Sequence, residues 1–186
     1  MEDMRFQRTE QLIMDATKSL LEKKGIDEIK ITEICSRASI SRNAFYGHYC
    51  DKYDLIEKMT MSFISTLKED LLAIHGEVGE SDLNKRTIEC IISYFERNND
   101  MLTLLVKNDS LFWHRFQENM ASLLFVKAPK NSLQRVFAEF CSGGMCVCLE
   151  SYYSGRAKID HDEFVANLSY IARMASENNP AKIDKK

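Results

Sequence analysis

Only two prolines, Pro129 and Pro180, stand in 186 residues. So few breakers leave room for long uninterrupted helices. No run of 18 apolar residues occurs. The densest stretches, Leu123 to Val126 and Met145 to Leu149, are far too short to span a membrane. The first residues, Met1-Glu-Asp-Met-Arg5, lack the apolar core of a signal peptide. The expected location is therefore the cytoplasm, with the six cysteines present as reduced thiols. Charge of either sign is nearly balanced, at a formal −3 with a pI near 5.9. That excludes a generic polyanion binder, so any nucleic-acid contact must come from a local patch. No repeat recurs at 20–50 residues. Hydrophobic residues at 45% and charged residues at 28% exclude a disordered chain or a disulfide scaffold and fit a globular domain.

What the sequence does have is helical periodicity. Leu12, Ile13, Ala16, Leu20 and Leu21 share one side of a segment spanning residues 5–24. Gly25 after Lys23-Lys24 predicts its stop. A short segment, 31–38, carries Ile31, Ile34, Cys35 and Ala38. Ser41 can cap a third, 42–49, and Asp51 a fourth, which runs to about Ile74 with Leu55, Met59, Phe63, Leu67 and Leu71 four apart. His75 to Asp82 reads as a linker, with Ser81 or Asp82 capping the helix that follows to about Arg97. Asn98 to Asp100 reads as a turn. Further helices are predicted over 101–107, 111–127, 132–153 and 161–177. Nothing alternates with period two for long enough to make a strand, so the class is all-α.

Residues 31–49 have the layout of a helix-turn-helix: a short helix, a tight turn at Ser39 and a second short helix. In such a unit the first helix braces against the phosphate backbone and the second enters the major groove. The second segment carries suitable chemistry. Arg42 presents a donor fork for a guanine edge or a phosphate, and Asn43 can pair with an adenine edge or a phosphate. Ala44 can touch a thymine methyl. Tyr46 and His48 can donate to phosphates, and Lys52 follows at the start of the next helix. The Ser41 cap leaves backbone N–H groups near the phosphates. Phe45 reads as core, and Tyr49 as either core edge or phosphate contact.

The sequence Ile34-Cys35-x-x-Ala38-Ser-Ile-Ser-Arg-Asn-Ala-Phe-Tyr-Gly-His-Tyr-Cys-Asp-Lys-Tyr-Asp-Leu55-Ile56 follows Arg8, Ile13, Ala16, Leu20 and Gly25 in register. Over about 50 residues this resembles the TetR family of bacterial transcriptional regulators. The resemblance implies an N-terminal three-helix helix-turn-helix domain, residues 1–51, whose third helix reads DNA. It also implies a C-terminal helical bundle, residues 52–178, for dimerisation and ligand or partner binding, with residues 179–186 as a flexible tail. The last two long helices of each subunit would form the homodimer interface. A palindromic double-stranded operator, repression as the default sign and a small-molecule effector follow from the same resemblance. The Phe45-Tyr46-Gly-His48-Tyr49 core is most similar to a branch containing activators of dihydroxyacetone-kinase operons, and Phe140 to Ile171 resembles that branch more loosely. A protein co-regulator in place of a small molecule is therefore the alternative.

Two positions depart from the family pattern. Lys30 stands where a threonine often caps the second helix, so either the cap moves to Thr32 or the lysine contacts a phosphate. Ser39 stands where glycine is usual in the turn; a non-glycine can take the left-handed conformation there at about 1–2 kcal/mol. Charge is also modest. Residues 1–52 hold nine basic and nine acidic residues, while the window 37–52 holds three basic against one acidic. The positive face is small, so dimerisation has to double the contacts and the salt slope per subunit is expected to be moderate.

Outside this segment, Tyr94, Phe95, Trp113, Phe116, Met120, Phe137 and Phe140 are candidates for an apolar effector pocket or for ordinary core. Cys141, Cys146 and Cys148 read as small buried hydrophobes or as a thiol sensor. A Cys-x-Cys pair on a helix points its thiols about 200° apart, and residues seven apart lie about 10 Å apart, too far for a disulfide within the chain. Gly143-Gly144 suits close helix approach in the dimer interface. His75, His114 and His161 have no metal-ligand spacing, so no metal and no cofactor are expected. No paired-carboxylate motif, Glu-x-x-His or nucleophile arrangement suggests catalytic residues or an enzyme.

Overall fold

The computed structural model describes residues 2–77, 80–124, 131–178 and 180, with side chains left undescribed at 2, 3, 75–77, 80–85, 120–124 and 176. Among the described residues every regular element is helical, as the periodicity predicts. Helix α1 spans Glu2–Leu21, a 3-10 turn covers Ile26–Glu28, and α2 and α3 span Ile31–Ala38 and Arg42–Tyr46. Then come α4 (Lys52–Glu77), α5 (Glu80–Arg97), α6 (Asn99–Asn108), α7 (Phe112–Leu124), α8 (Ser132–Tyr153) and α9 (His161–Glu177).

The chain forms two compact units. One holds Met1–Phe63 and Asn98–Phe112; the other holds Ile64–Arg97 and Trp113–Lys186. The sequence reading divides the domains at 51/52, whereas the units divide inside α4. The reason lies in the first half of that helix. Leu55, Ile56, Met59 and Phe63 are all buried, and Phe63 meets Phe112 at a ring distance of 6.1 Å. Helix α6 belongs to the same unit and packs against α1.

In the first unit α1 buries Ile13, Ala16, Thr17 and Leu21. Leu12 points outward instead, 43% exposed. Helix α1 ends at Leu21, and Gly25 is not its left-handed stop. Gly25 is extended, with φ −67° and ψ 160°, and opens the 3-10 turn. Helix α2 packs on α1 and on α3, burying Ile34, Cys35 and Ala38. Helix α3 is shorter than expected, because past Tyr46 the chain continues as bonded turns, Gly47 N–H to Asn43 O and Tyr49 N–H to Phe45 O, both 3.0 Å.

In the second unit α5 packs along α9, and α8 against α9. Ile88, Ile91, Ile92, Leu149, Phe164 and Leu168 are buried there. Asn131 caps α8, its Oδ1 accepting the Gln134 N–H at 2.9 Å. The Gly143-Gly144 pair does not break α8. A Cβ on Gly143 would stand 3.3 Å from the Gln117 amide nitrogen of α7, whereas Gly144 faces open space. The expected linker from His75 is helical through Glu77. Ser81 and Asp82, expected to cap the helix that follows, lie inside α5, which begins at Glu80; their side chains and, apart from Pro180, the tail 179–186 lie outside the described residues. Among the described residues no helix is long and apolar enough to cross a membrane.

Candidate nucleic-acid interface

The turn between α2 and α3 is built on Ser39, the one described non-glycine residue with positive φ (φ 56°, ψ 41°). The Ile40 N–H bonds back to Cys35 O at 3.0 Å and closes the turn. Ser41 Oγ then accepts the Ala44 N–H at 3.1 Å, the cap that the sequence predicts. Phe45 is fully buried and anchors α3 from below. What remains outward is Ser41, Arg42, Asn43 and Tyr46, with Ala44 half-buried. Arg42 Nη2 lies 3.5 Å from the Tyr46 hydroxyl, and its guanidinium sits 5.9 Å from that ring's centre. These two exposed side chains are thus ordered as a pair, a fork beside a phenol, one helical turn apart.

Helix α2 starts without a side-chain acceptor at Lys30, because an ammonium cannot accept a hydrogen bond. The cap comes from the opposite direction. Glu33 Oε2 accepts the Lys30 backbone N–H at 2.8 Å, and Oε1 accepts from Lys24 Nζ at 2.7 Å. Those two bonds hold the Glu33 carboxyl below its ordinary pKa, the lysine bond contributing most. Thr32 is therefore not the cap; it lies inside α2 with its side chain exposed, as Lys30 is. A shallow hollow beside it is lined by Leu20, Thr32, Glu33, Ser36 and Arg37, and Arg37 donates to Ser19 across it.

Three of the candidate contacts are occupied by the fold. Lys52 Nζ donates to the carbonyls of Ile26, Asp27 and Ile29, at 2.9, 2.9 and 3.0 Å. All three ammonium protons are taken, so Lys52 is a staple on the turn ahead of α2. Tyr49 is 1% exposed, and burial raises its phenol pKa. It is core. The His48 ring stacks on Phe6 at 3.9 Å, and its Nδ1 is enclosed with no hydrogen-bond partner. It joins the start of α1 to the end of α3. Sequence reasoning also missed Lys58, which donates to His48 O at 2.9 Å and to Asp54 at 3.2 Å and lies 4.9 Å from the Tyr49 ring centre. The Asp54–Lys58 spacing of four was its visible signal. Asp51 caps α4 as expected, accepting from the Tyr53 and Asp54 amides at 2.7 and 2.8 Å.

The aromatic candidates of the second unit are packed on one another. Phe95 lies 5.3 Å from Phe116, 5.3 Å from Tyr153 and 6.3 Å from Trp113. Tyr94, Phe95 and Phe116 are buried, and Trp113 and Phe137 half-buried. Phe140 belongs elsewhere, 77% exposed on the outer face of α8. The Met120 side chain lies outside the described residues. Burial raises the thiol pKa values of Cys35, Cys90 and Cys141, and pushes Cys146 up to about 12, the reverse of an activated thiol.

Comparison with known proteins places this geometry. The family profile "Bacterial regulatory proteins, tetR family" matches residues 13–59, from the middle of α1 into α4. The chain is also similar to the uncharacterized HTH-type transcriptional regulator YxbF of Bacillus subtilis (strain 168), 24% identical over 119 residues. That match takes in 63% of this chain and 31% of the relative, so the chain spans about a third of the curated relative's length. The matched segment, with its left-handed turn, capped α3 and outward Arg42, Asn43 and Tyr46, is thus similar to the DNA-binding segment of the tetR family of bacterial regulatory proteins.

Proposed function

We propose that this protein is a sequence-specific, DNA-binding transcriptional regulator that acts as a homodimer on a two-fold symmetric operator. The observation that carries the reading is the outward face of α3. Ser41, Arg42, Asn43 and Tyr46 project from a short helix fixed by its cap and by buried Phe45. Arg42 and Asn43 supply base-edge chemistry; Tyr46 and the amides near Ser41 supply phosphate contacts. Lys30 and Thr32, exposed at the start of α2, are backbone contacts in this reading.

The dimer is supported by a second feature. Leu133, Val136, Phe140 and Val147 are each more than 60% exposed along α8, with Gly144 on the same stripe. Tyr170, Ile171 and Met174 are exposed on α9. An apolar face of this extent is a liability on a monomer and fits a second copy. Repression is the sign of regulation, because a dimer seated on promoter DNA excludes polymerase without further contacts. An apolar effector would have to part the Phe95 ring cluster. That closed packing keeps one alternative in play, a partner-dependent activator without a small-molecule effector.

The test is selection from a pool of randomised duplexes, followed by gel-shift titration of the enriched DNA. A two-fold symmetric consensus is expected. Arg42→Ala should weaken the selected site by about 1–3 kcal/mol relative to scrambled DNA if it reads a base. Equal loss on both DNAs would make Arg42 a phosphate contact. Failure of the parental protein to enrich any sequence would overturn the proposal.

A further inference from the structure

The 3-10 turn Ile26–Glu28 stands only two residues ahead of α2, and it is held from both sides. Lys52 gathers its carbonyls, as described above. On the amide side, Asn108 Oδ1 accepts the Ile26 N–H at 2.8 Å. Asn108 is the last residue of α6, 82 positions along the chain from Ile26. Its orientation is not free, because Nδ2 donates to Leu104 O at 2.8 Å, one helical turn back. That bond points Oδ1 at the turn. Ile26 is 5% exposed and Ile29 is 1% exposed, so the turn is anchored in the core at both ends, while Asp27 and Glu28 between them are exposed. The Ile26 N–H loses its partner if Asn108 cannot accept.

We propose that Asn108 is a positioning residue for DNA reading, although it lies far outside the segment that carries the family match. Its side chain sets where the turn sits. The turn leads through Ile29 and Lys30 into the Glu33-capped start of α2, and α2 packs against α3. Displacing the turn therefore displaces the bed on which Arg42, Asn43 and Tyr46 are presented. The inference rests on the proposed DNA-reading function of α3.

The experiment uses the full chain and the DNA enriched by the parental protein. Asn108→Leu removes both the acceptor and the donor at similar size, whereas Asn108→Asp keeps the acceptor and loses only the donor to Leu104 O. The leucine variant should bind the enriched DNA about three- to tenfold more weakly, the loss expected for one part-buried hydrogen bond. Its salt slope should be unchanged, since no phosphate contact is removed. The Ile26 amide should exchange with solvent faster by a similar factor, and the aspartate variant, which keeps the acceptor but loses the orienting bond to Leu104 O, should show a smaller loss in both readouts than the leucine variant. Parental affinity in the leucine variant, or equal loss in the leucine and aspartate variants, would overturn the inference while leaving the function of α3 intact. Absence of any DNA preference in the parental protein would remove that function and this inference with it. If circular dichroism shows that the leucine variant does not fold, Asn108→Ser, too short to reach Ile26, takes its place in the same comparison.

Discussion

Ser39 holds a conformation that costs an L-residue about 1–2 kcal/mol, and glycine takes it without that cost. Glycine in turn loses about 0.5–1 kcal/mol through unfolded-state entropy. Ser39→Gly should therefore stabilise the first unit by roughly 0.5–1 kcal/mol, read from the urea midpoint with unchanged slope. At Glu33 the sign of a pH effect is fixed by its lowered pKa. Its contribution is present above the ordinary carboxylate value of 4.5 and is lost as pH falls through the lower folded value. Glu33→Gln should flatten the acid limb of the stability curve in that window, measured by thermal melting across pH. Residues acting on near neighbours were legible in the sequence. Ser41 and Asp51 cap the helices they precede, and Ser39 takes the left-handed turn. The Glu33 cap was not, because a lysine at the cap position directs attention forward to Thr32 rather than back from the third helical residue.

Elements with a strong apolar stripe were read closely. The bounds of α8 and α9 match the periodicity, and α8 carries its two glycines without a break. Shorter elements were misjudged where tertiary contacts decide their ends. Gly25 looks like a helix stop but opens a turn that Lys52 and Asn108 hold in place. Lys52 looks like a phosphate contact because its acceptors lie 23–26 residues upstream, beyond any local pattern. Lys52→Met keeps the stem and removes the three bonds. It should lower stability by about 2 kcal/mol, the scale of bonds from a charged donor. DNA binding should weaken through misplacement of α2, with the salt slope unchanged. A slope smaller by about one would instead identify Lys52 as a phosphate contact.

At the scale of the whole molecule, the exposed stripe on α8 should govern assembly. Val136→Asp together with Phe140→Asp places charge on that face without touching buried core. The variant should elute as a monomer in size-exclusion chromatography with light scattering, while its helicity is retained. Its DNA affinity should fall steeply, since each half-site would then be held by one small basic patch. That the described elements are helices, with α8 and α9 long, was legible from the period. That its first unit is discontinuous was not, because α6 carries no sequence feature that sets it apart from its neighbours. This discontinuity bears on biosynthesis. The chain passes between the units after residues 63, 97 and 112. A ribosome therefore delivers α1 to α3 well before Asn108 exists, and at about 5–20 residues per second the interval is roughly 3–12 seconds. During that interval the nascent turn at Ile26 is open on its amide side. A chimera that transplants only the first 63 residues onto another regulator would make that interval permanent.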